Sequence, residues 1–230
     1  MHDVLSQFHG GLVVSCQARP GNPLHGPSSM AMMAQAAELG GAVGLRVNGP
    51  VDVAAVLGVS TLPVMAINKV DYPDSKVMIT PTIESTEELL AAGARIVALD
   101  ATNRPRPQGE RLRDQIDVIH KAGAVAMGDL ASIEDLPGAM AADLDAVGTT
   151  LSGYTGGPIP AEPDFALLAE LVRQSPVPVF AEGRYWTPEH VVRAFELGAS
   201  FVVVGTAITN PMAITSRFVN AISTTQRSGE

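Results

Sequence analysis

A chain of 230 residues that is 46% hydrophobic but only 4% aromatic fits one large domain with a core of small aliphatic side chains. Its formal net charge of -9 argues against a nucleic-acid or anionic-membrane surface, because those partners need a basic face. The single cysteine, Cys16, excludes intramolecular disulfides and cysteine-based zinc clusters. The first residues lack a charged leader and a long apolar run, so we expect a cytoplasmic protein.

Eight near-continuous apolar runs recur along the chain, and a helical stretch follows each of them. Such runs are typical of strands in a sheet that is covered on both faces. The predicted strands span residues 12–17, 42–47, 64–69, 95–101, 124–130, 146–152, 177–183 and 201–208. The predicted helices span residues 28–39, 51–57, 86–92, 110–122, 132–142, 164–175, 188–197 and 211–223. This strict alternation predicts a single (β/α)8 TIM barrel over residues 1–230.

The alternative architecture is an open doubly wound sheet. That fold places a Gly-x-Gly-x-x-Gly motif after the first strand, and this chain has Ser15-Cys16-Gln17 there instead. The stretch 71–82 is the longest irregular feature of the pattern, and we expect it to line the mouth of the barrel.

In a (β/α)8 barrel the active site lies at the carboxyl ends of the strands, so polar residues that end the apolar runs are candidates. Strands seven and eight end at Gly183-Arg184 and Gly205-Thr206. Loops at these two positions commonly hold a phosphate, because backbone N–H groups and a helix N-terminus supply donors there. The alternative is that Gly183 and Gly205 serve only as turn residues at the strand ends.

Lys69 is the most informative single residue, because it follows a buried strand and should emerge into the mouth. A buried lysine can have its pKa lowered enough to act as a base or to form a Schiff base. Glu182 ends strand seven, four positions away in a ring of eight, so the two should face each other. The alternative is an ion pair across the rim, in which the carboxylate would raise the lysine pKa.

Arg46 also ends a predicted strand, where it could hold a carboxylate or phosphate as a bidentate fork or form a salt bridge at the rim. Asp100 and Asp129 could be read as a metal pair. None of the five histidines ends a strand, however, and two carboxylates alone provide too few ligands for a catalytic metal. We therefore favour a site without metal.

Seven short segments resemble the N-acylglucosamine-6-phosphate 2-epimerases, the N-acetylmannosamine-6-phosphate epimerases of bacterial sialic acid breakdown. They are SCQA (15–18), DYP (71–73) with ITPT (79–82), LDAT (99–102), GTTLSGYT (148–155), AEGR (181–184) and VVGTAIT (203–209). The resemblance extends over almost the whole chain, from about residue 12 to residue 222. The chain departs from the family pattern at Asn210, where arginine is usual.

The resemblance implies a (β/α)8 barrel that interconverts N-acetylmannosamine 6-phosphate and N-acetylglucosamine 6-phosphate in amino sugar catabolism, with no metal or organic cofactor. It implies that Lys69 is the catalytic lysine and Glu182 its partner acid. The positions that match substrate-binding residues or lie in the matching motifs are Gln17, Arg46, Asp129, Thr150, Ser152, Gly183, Arg184, Gly205 and Thr206.

Two other functions stay open at this point. One is a lyase that uses Lys69 covalently as a Schiff base on a phosphorylated sugar, and the other is a noncatalytic phosphosugar-binding protein. The resemblance also makes a homodimer the expected assembly. The predicted helix 211–223 carries Ile214, Phe218 and Ile222 at helical spacing. We expect that stripe to pack on its own barrel, with docking on a second copy as the alternative.

Overall fold

The computed structural model describes residues 3–227, and within them eight parallel strands close into a barrel in chain order, with β8 beside β1. This confirms the predicted (β/α)8 barrel. The strands are β1 Leu12–Cys16, β2 Gly44–Asn48, β3 Val64–Ile67, β4 Ile96–Asp100, β5 Val125–Asp129, β6 Ala146–Gly148, β7 Val179–Glu182 and β8 Phe201–Val204. The helices are α1 Asp3–Ser6, α2 Pro27–Leu39, α3 Pro50–Leu57, α4 Ile83–Ala91, α5 Leu112–Lys121, α6 Leu136–Ala141, α7 Phe165–Gln174, α8 Pro188–Glu196, α9 Thr206–Thr209 and α10 Pro211–Arg227.

The barrel interior is a packed layer of side chains. Inward-facing residues such as Met65, Ile67 and Phe180 are completely buried there, as is usual for this fold. Phe180 stacks on Phe201, and the ring of Phe8 lies 5.0 Å from that of Phe201. Phe8 comes from the segment before β1, which thereby fills the amino end of the barrel and leaves the carboxyl end as the mouth. No helix within residues 3–227 is long and apolar enough to cross a bilayer.

The predicted third strand was two residues too long. β3 ends at Ile67, and Lys69 instead forms an isolated antiparallel bridge with Ile79. The segment after it folds back because Asn68 and Thr80 exchange hydrogen bonds, and the Thr80 hydroxyl also donates to the carbonyl of Ala98 at 2.7 Å. Ile79 packs in the inner apolar layer, so this segment closes one side of the mouth and fixes the backbone of Lys69.

The sixth and eighth strands also end earlier than predicted. β8 stops at Val204, and Thr206–Thr209 forms the short helix α9, because Gly205 turns the chain with φ -109° and ψ -92°. β6 stops at Gly148. The irregular segment between Gly148 and Phe165 is therefore longer than the one between Ile67 and Ile83. The sequence had predicted the longest irregular stretch in the latter segment, at residues 71–82.

The last predicted helix is present as α10, but the packing predicted for its apolar stripe was wrong. Phe218 is 70% exposed and Ile222 is 61% exposed, so the apolar stripe does not pack on its own barrel. Helical periodicity identified the stripe correctly, but it cannot say which surface covers it.

Candidate active site

Arg46 lies at the centre of the mouth, although it belongs to a buried strand. Its side chain is 1% exposed, and it reaches across the barrel to the ends of β5 and β7. Two nitrogens bind the Asp129 carboxylate at 3.0 and 2.5 Å, and Nη1 also donates to Glu182 at 2.6 Å. Burial opposes the charge of Arg46, yet Asp129 and Glu182 raise its pKa overall. The guanidinium is therefore a fixed cation that holds two carboxylates, as the bidentate alternative predicted.

Asp129 and Glu182 are also joined through Thr150. The Thr150 hydroxyl lies 2.6 Å from Asp129 Oδ1 and 3.2 Å from Glu182 Oε2. The backbone of Glu182 is held by the Thr149 side chain, which accepts from the Glu182 N–H and donates to its carbonyl. Asp129 is fully buried, whereas the Glu182 side chain keeps 14% exposure. Of the two acids, Glu182 is the one that a ligand in the mouth can reach.

Lys69 ends in a different set of contacts. Its Nζ donates to Gln17 Oε1 at 2.7 Å, and Gln17 Nε2 donates in turn to Ser15 Oγ at 2.7 Å. Asn48 at the end of β2 accepts the backbone N–H of Lys69 at 2.9 Å. The amine thus emerges where the sequence predicted, held by a neutral amide rather than by a carboxylate.

The proposed ion pair between Lys69 and Glu182 is not formed, since the carboxylate pairs with Arg46 instead. Burial lowers the pKa of Lys69 to about 8, and the positive charges of Arg46 and Arg19 act in the same direction against Glu182 and Asp129. Burial raises the pKa of Glu182 to about 7, assisted by Asp129 and opposed by Arg46. A base and an acid that both titrate near neutrality are typical of catalytic sites.

The loops after β7 and β8 lie beside this group. Gly183 has φ +111° and Gly205 approaches Ser15 so closely that an added Cβ would lie 3.2 Å from the Ser15 Cβ. Thr206 opens α9 and is exposed. These positions remain the predicted phosphate site. Asn210, where the family pattern has arginine, accepts the N–H of Ala213 and so caps α10.

Two predicted site residues have structural partners in this conformation. Arg184 donates to the carbonyls of Glu162 and Ser152, and it lies over the Tyr154 ring, so its guanidinium joins the two ends of the loop after β6. The Ser152 hydroxyl donates to Asp164, which caps α7, at 2.6 Å. Neither side chain meets the group around Lys69.

Asp100 and Asp129 are neighbours in the β4–β5 register, yet each has its own partners. Asp100 accepts from Thr102 and forms an ion pair with Arg104, while Asp129 binds Arg46. Within the described part of the chain, no group of three or more His, Cys, Asp or Glu side chains could hold a metal ion.

Sequence reasoning missed Ser15 and Asn48 as parts of this site. Both are polar residues at the carboxyl ends of apolar strands. Ser15 also shares the period-two face of Gln17, so strict alternation along β1 could have identified it.

Comparison with known proteins identifies the family. The sequence profile of a family described as "Putative N-acetylmannosamine-6-phosphate epimerase" matches residues 30–224. A protein of Clostridioides difficile (strain 630) named "Putative N-acetylmannosamine-6-phosphate 2-epimerase" is 45% identical over 220 residues, which are 95% of this chain and 99% of the relative. A protein of Enterobacter sp. (strain 638) with the same name is 45% identical over 228 residues, covering 96% of this chain and 97% of the relative.

Solved structures agree. The N-acetylmannosamine-6-phosphate 2-epimerase from Clostridium perfringens superimposes with a TM-score of 0.93 at 43% identity, and the match covers 96% of each chain. Thiamine phosphate pyrophosphorylase from Pyrococcus furiosus superimposes with a TM-score of 0.63 at 12% identity over 91% of each chain, which shows the shared barrel fold alone. The resemblance seen in the motifs is confirmed: the chain belongs to the N-acetylmannosamine-6-phosphate 2-epimerase family.

Proposed function

We propose that this chain interconverts N-acetylmannosamine 6-phosphate and N-acetylglucosamine 6-phosphate by removing and returning the proton at C2. The observation that carries the proposal is the pair of groups at the mouth, since burial brings the pKa of Lys69 down to about 8 and that of Glu182 up to about 7. Groups that titrate near the working pH are efficient general acids and bases. Membership of the family and the likeness to the Clostridium perfringens enzyme support this choice of substrate.

Inversion at C2 requires that the sugar ring opens and that the C2 proton, beside the C1 aldehyde, leaves from one face. In the proposed reaction the neutral Lys69 amine takes this proton, and the electron pair of the C–H bond moves through the carbonyl to O1. The new ammonium then stabilises the enolate oxygen by its charge. A proton is then returned to the opposite face of C2, by Glu182 or, once the enolate has turned its other face toward the ammonium, by Lys69, and the enolate electrons form the new C–H bond.

Arg46 Nη1 and Nη2 are held by Asp129 and Glu182, while its Nε is buried with no hydrogen-bond partner among the described residues. Its proposed role is to hold both carboxyl groups in a fixed orientation, so that Glu182, the acid that a ligand in the mouth can reach, meets a sugar hydroxyl in a defined position. We place the phosphate at Gly183, Gly205 and Thr206, and the binding energy gained there would fix C2 against Lys69. The setting we propose is cytoplasmic amino sugar breakdown.

Proton NMR in heavy water tests the proposal. The purified protein is incubated with N-acetylmannosamine 6-phosphate in deuterated buffer. We expect the C2 proton signal to disappear as N-acetylglucosamine 6-phosphate forms, because the proton exchanges with solvent between removal and return. Epimer formation with the C2 hydrogen fully retained would contradict this mechanism.

The same substrate with borohydride tests the Schiff-base alternative. A covalent adduct on Lys69, located by mass spectrometry of peptides, would favour a lyase. We expect no adduct, because general-base removal of a proton forms no carbon–nitrogen bond. A protein that binds the phosphosugar but neither exchanges its proton nor forms an adduct would be a noncatalytic binder.

We also propose that the protein is a homodimer that exchanges α10 between protomers. Met212, Phe218 and Ile222 are each more than half exposed, and at 100° per residue they lie on one side of the helix. An exposed apolar helix face of this kind marks an interaction surface. Within its own chain α10 packs chiefly against α9.

The matching surface is a groove on the outside of the same barrel. A cavity of about 490 Å³ lies between β1, α2 and α9, and it is lined mainly by apolar residues that include Leu12, Leu24, Met32, Met33 and Ile208. The groove runs along the outer side of β1 and α2. It lies beside the position at which the last helix of a (β/α)8 barrel normally completes the outer ring of helices. Insertion of the partner's α10 would complete both rings, and the contact would be isologous.

Sedimentation velocity at micromolar concentration tests the assembly. We expect one species of twice the 23.9 kDa chain mass. A single species at the chain mass would overturn the proposed dimer while leaving the proposed chemistry untouched.

A further inference from the structure

Ser15 lies behind the contacts that hold Lys69. Its side chain is 5% exposed and follows Val13 on the inward face of β1. Ser15 Oγ accepts a hydrogen bond from Gln17 Nε2, and Gln17 Oε1 accepts one from Lys69 Nζ, both at 2.7 Å. The three side chains form a chain of hydrogen bonds that begins at a buried hydroxyl and ends at the amine.

Ser15 also contacts the loop after β8. Its carbonyl accepts a hydrogen bond at 2.7 Å from the hydroxyl of Thr209, which is buried at the end of α9. Gly205 packs directly against the Ser15 side chain, with only 3.2 Å available to an added Cβ. Ser15 therefore lies between the predicted phosphate loop and the lysine, in a space that accommodates only a small side chain.

We propose that Ser15 is a positioning residue for proton transfer, which acts through Gln17 to hold the Lys69 amine in place. The inference rests on the proposed function and names a residue to which the family motif assigns no role. The contact that carries it is the hydrogen bond from Gln17 Nε2 to Ser15 Oγ.

The physical reason lies in the two ends of the Gln17 amide. Only Oε1 can accept from Lys69, since Nε2 is a donor and would face another donor. Lys69 therefore takes the oxygen end, and the Ser15 hydroxyl, which can accept, anchors the Nε2 end, so that the amide is held at both ends. Lysine carries its amine on a flexible four-carbon stem, and proton transfer depends on the reacting atoms being held in place. A fixed acceptor for Nζ restricts the amine to the orientation from which C2 is reached.

The first test is Ser15→Ala. We expect kcat and the rate of deuterium exchange at C2 to fall about three- to tenfold, the effect of one hydrogen bond, with KM within about twofold. Ser85→Ala is the matched control, because it also deletes a buried hydroxyl, on α4 outside the mouth. If Ser15→Ala does not fold, Ser15→Cys keeps the size of the side chain with a weak acceptor and carries the same test.

A double-mutant cycle distinguishes action through Gln17 from a local packing effect. In the Gln17→Ala background, Ser15→Ala should lose its effect on kcat, because the amide it orients is gone. The same fold loss in both backgrounds would overturn the proposal, and so would an unchanged kcat in Ser15→Ala alone.

A titration of Lys69 by NMR, using lysine labelled with ¹³C at Cε, separates this inference from the proposed reaction. The charged groups that act on the amine are Arg46, Arg19, Glu182 and Asp129. Ser15→Ala releases the Nε2 end of Gln17, so Oε1 is held less firmly against Nζ; a weaker acceptor disfavours the ammonium and should lower the apparent pKa of Lys69. If the wild-type protein fails to exchange the C2 proton but this shift is present, the proposed reaction fails, while the action of Ser15 on the Lys69 amine through Gln17 stands. An unshifted titration curve would overturn the role of Ser15.

Discussion

Arg46 on β2 and Glu182 on β7 meet at 2.6 Å, although three strand positions separate them around the barrel. The guanidinium must cross the barrel axis to make this contact and its bonds to Asp129 on β5. Because Arg46 supplies the cation for both acids, Lys69 is left without a carboxylate partner and its pKa falls to about 8 through burial. The predicted consequences concern catalysis, stability and assembly.

The first prediction is that Lys69→Ala loses proton exchange while phosphosugar binding survives. Lys69 follows β3, whereas the proposed phosphate donors follow β7 and β8, so ground-state binding should change little. Positioned general acid–base groups contribute about 10²- to 10⁴-fold, and a base that also stabilises the enolate should lie near the upper end. Proton NMR in heavy water measures the rate of C2 exchange, and titration calorimetry measures phosphosugar binding. Lys121→Ala on α5 is the control, and near-native exchange in folded Lys69→Ala would refute the mechanism.

The second prediction is that Lys69→Met, although inactive, is more stable than the wild type at pH 7. Burial lowers the lysine pKa from 10.5 to about 8, so below pH 8 the folded state carries a cost for its charge. That cost fades between pH 8 and 10.5, where both states become neutral. At about 1.4 kcal/mol per pKa unit, and with partial solvent access, methionine should add about 1–3 kcal/mol to the free energy of unfolding. Urea unfolding at pH 7 and pH 10 checks this, since the gain should shrink at the higher pH.

The third prediction concerns Glu182→Gln. The Glu182 charge raises the pKa of Lys69, so its removal should lower that pKa below about 8 and move the rise of kcat/KM with pH to lower pH. A pH profile between 6 and about 9.5 measures the shift. The heavy-water experiment assigns the second proton. If Glu182 delivers it, the variant still exchanges the C2 proton but no longer forms the epimer; if Glu182 only orients the sugar, exchange and epimerisation fall together.

The strand ends predicted Lys69 and Glu182 correctly as groups at the mouth, because β/α alternation fixes which end of each strand is exposed. The sequence did not predict which charges pair. Arg46 selects its partners across the width of the barrel, and that distance depends on the closed sheet. The same limit applies to α10, where periodicity located the apolar face while the covering surface depends on assembly. The end of β8 before Gly205 and the turn into α9 were mispredicted for a different reason, because apolar residues continue in the sequence past the end of the strand.

The fourth prediction is that Arg46→Met destabilises the fold as well as abolishing activity. The change leaves Asp129 buried without its cation, and breaking a buried ion pair in this way typically costs about 3–5 kcal/mol. The double variant Arg46→Met with Asp129→Leu should recover much of that stability, because it replaces the pair by apolar groups, yet remain inactive. Denaturant unfolding of both variants tests the argument. Equal loss in the single and double variants would show that Asp129 is not the source of the cost.

The last prediction concerns assembly. Phe218→Asp should convert the proposed dimer to a monomer, because it places a charge on the apolar face of α10 that the groove of the second protomer would bury. Asn220→Asp adds the same charge on the same exposed helix, roughly 160° away from Phe218 at 100° per residue, and serves as the control. Of these two α10 variants, only Phe218→Asp should give the monomer mass in sedimentation velocity. A partner groove substitution, Met32→Asp, should dissociate the dimer in the same way, since Met32 lines the cavity on α2. Exchange at C2 by the resulting monomers shows whether each barrel is active alone. A dimer that survives both Phe218→Asp and Met32→Asp would mean that α10 and this groove do not form the interface.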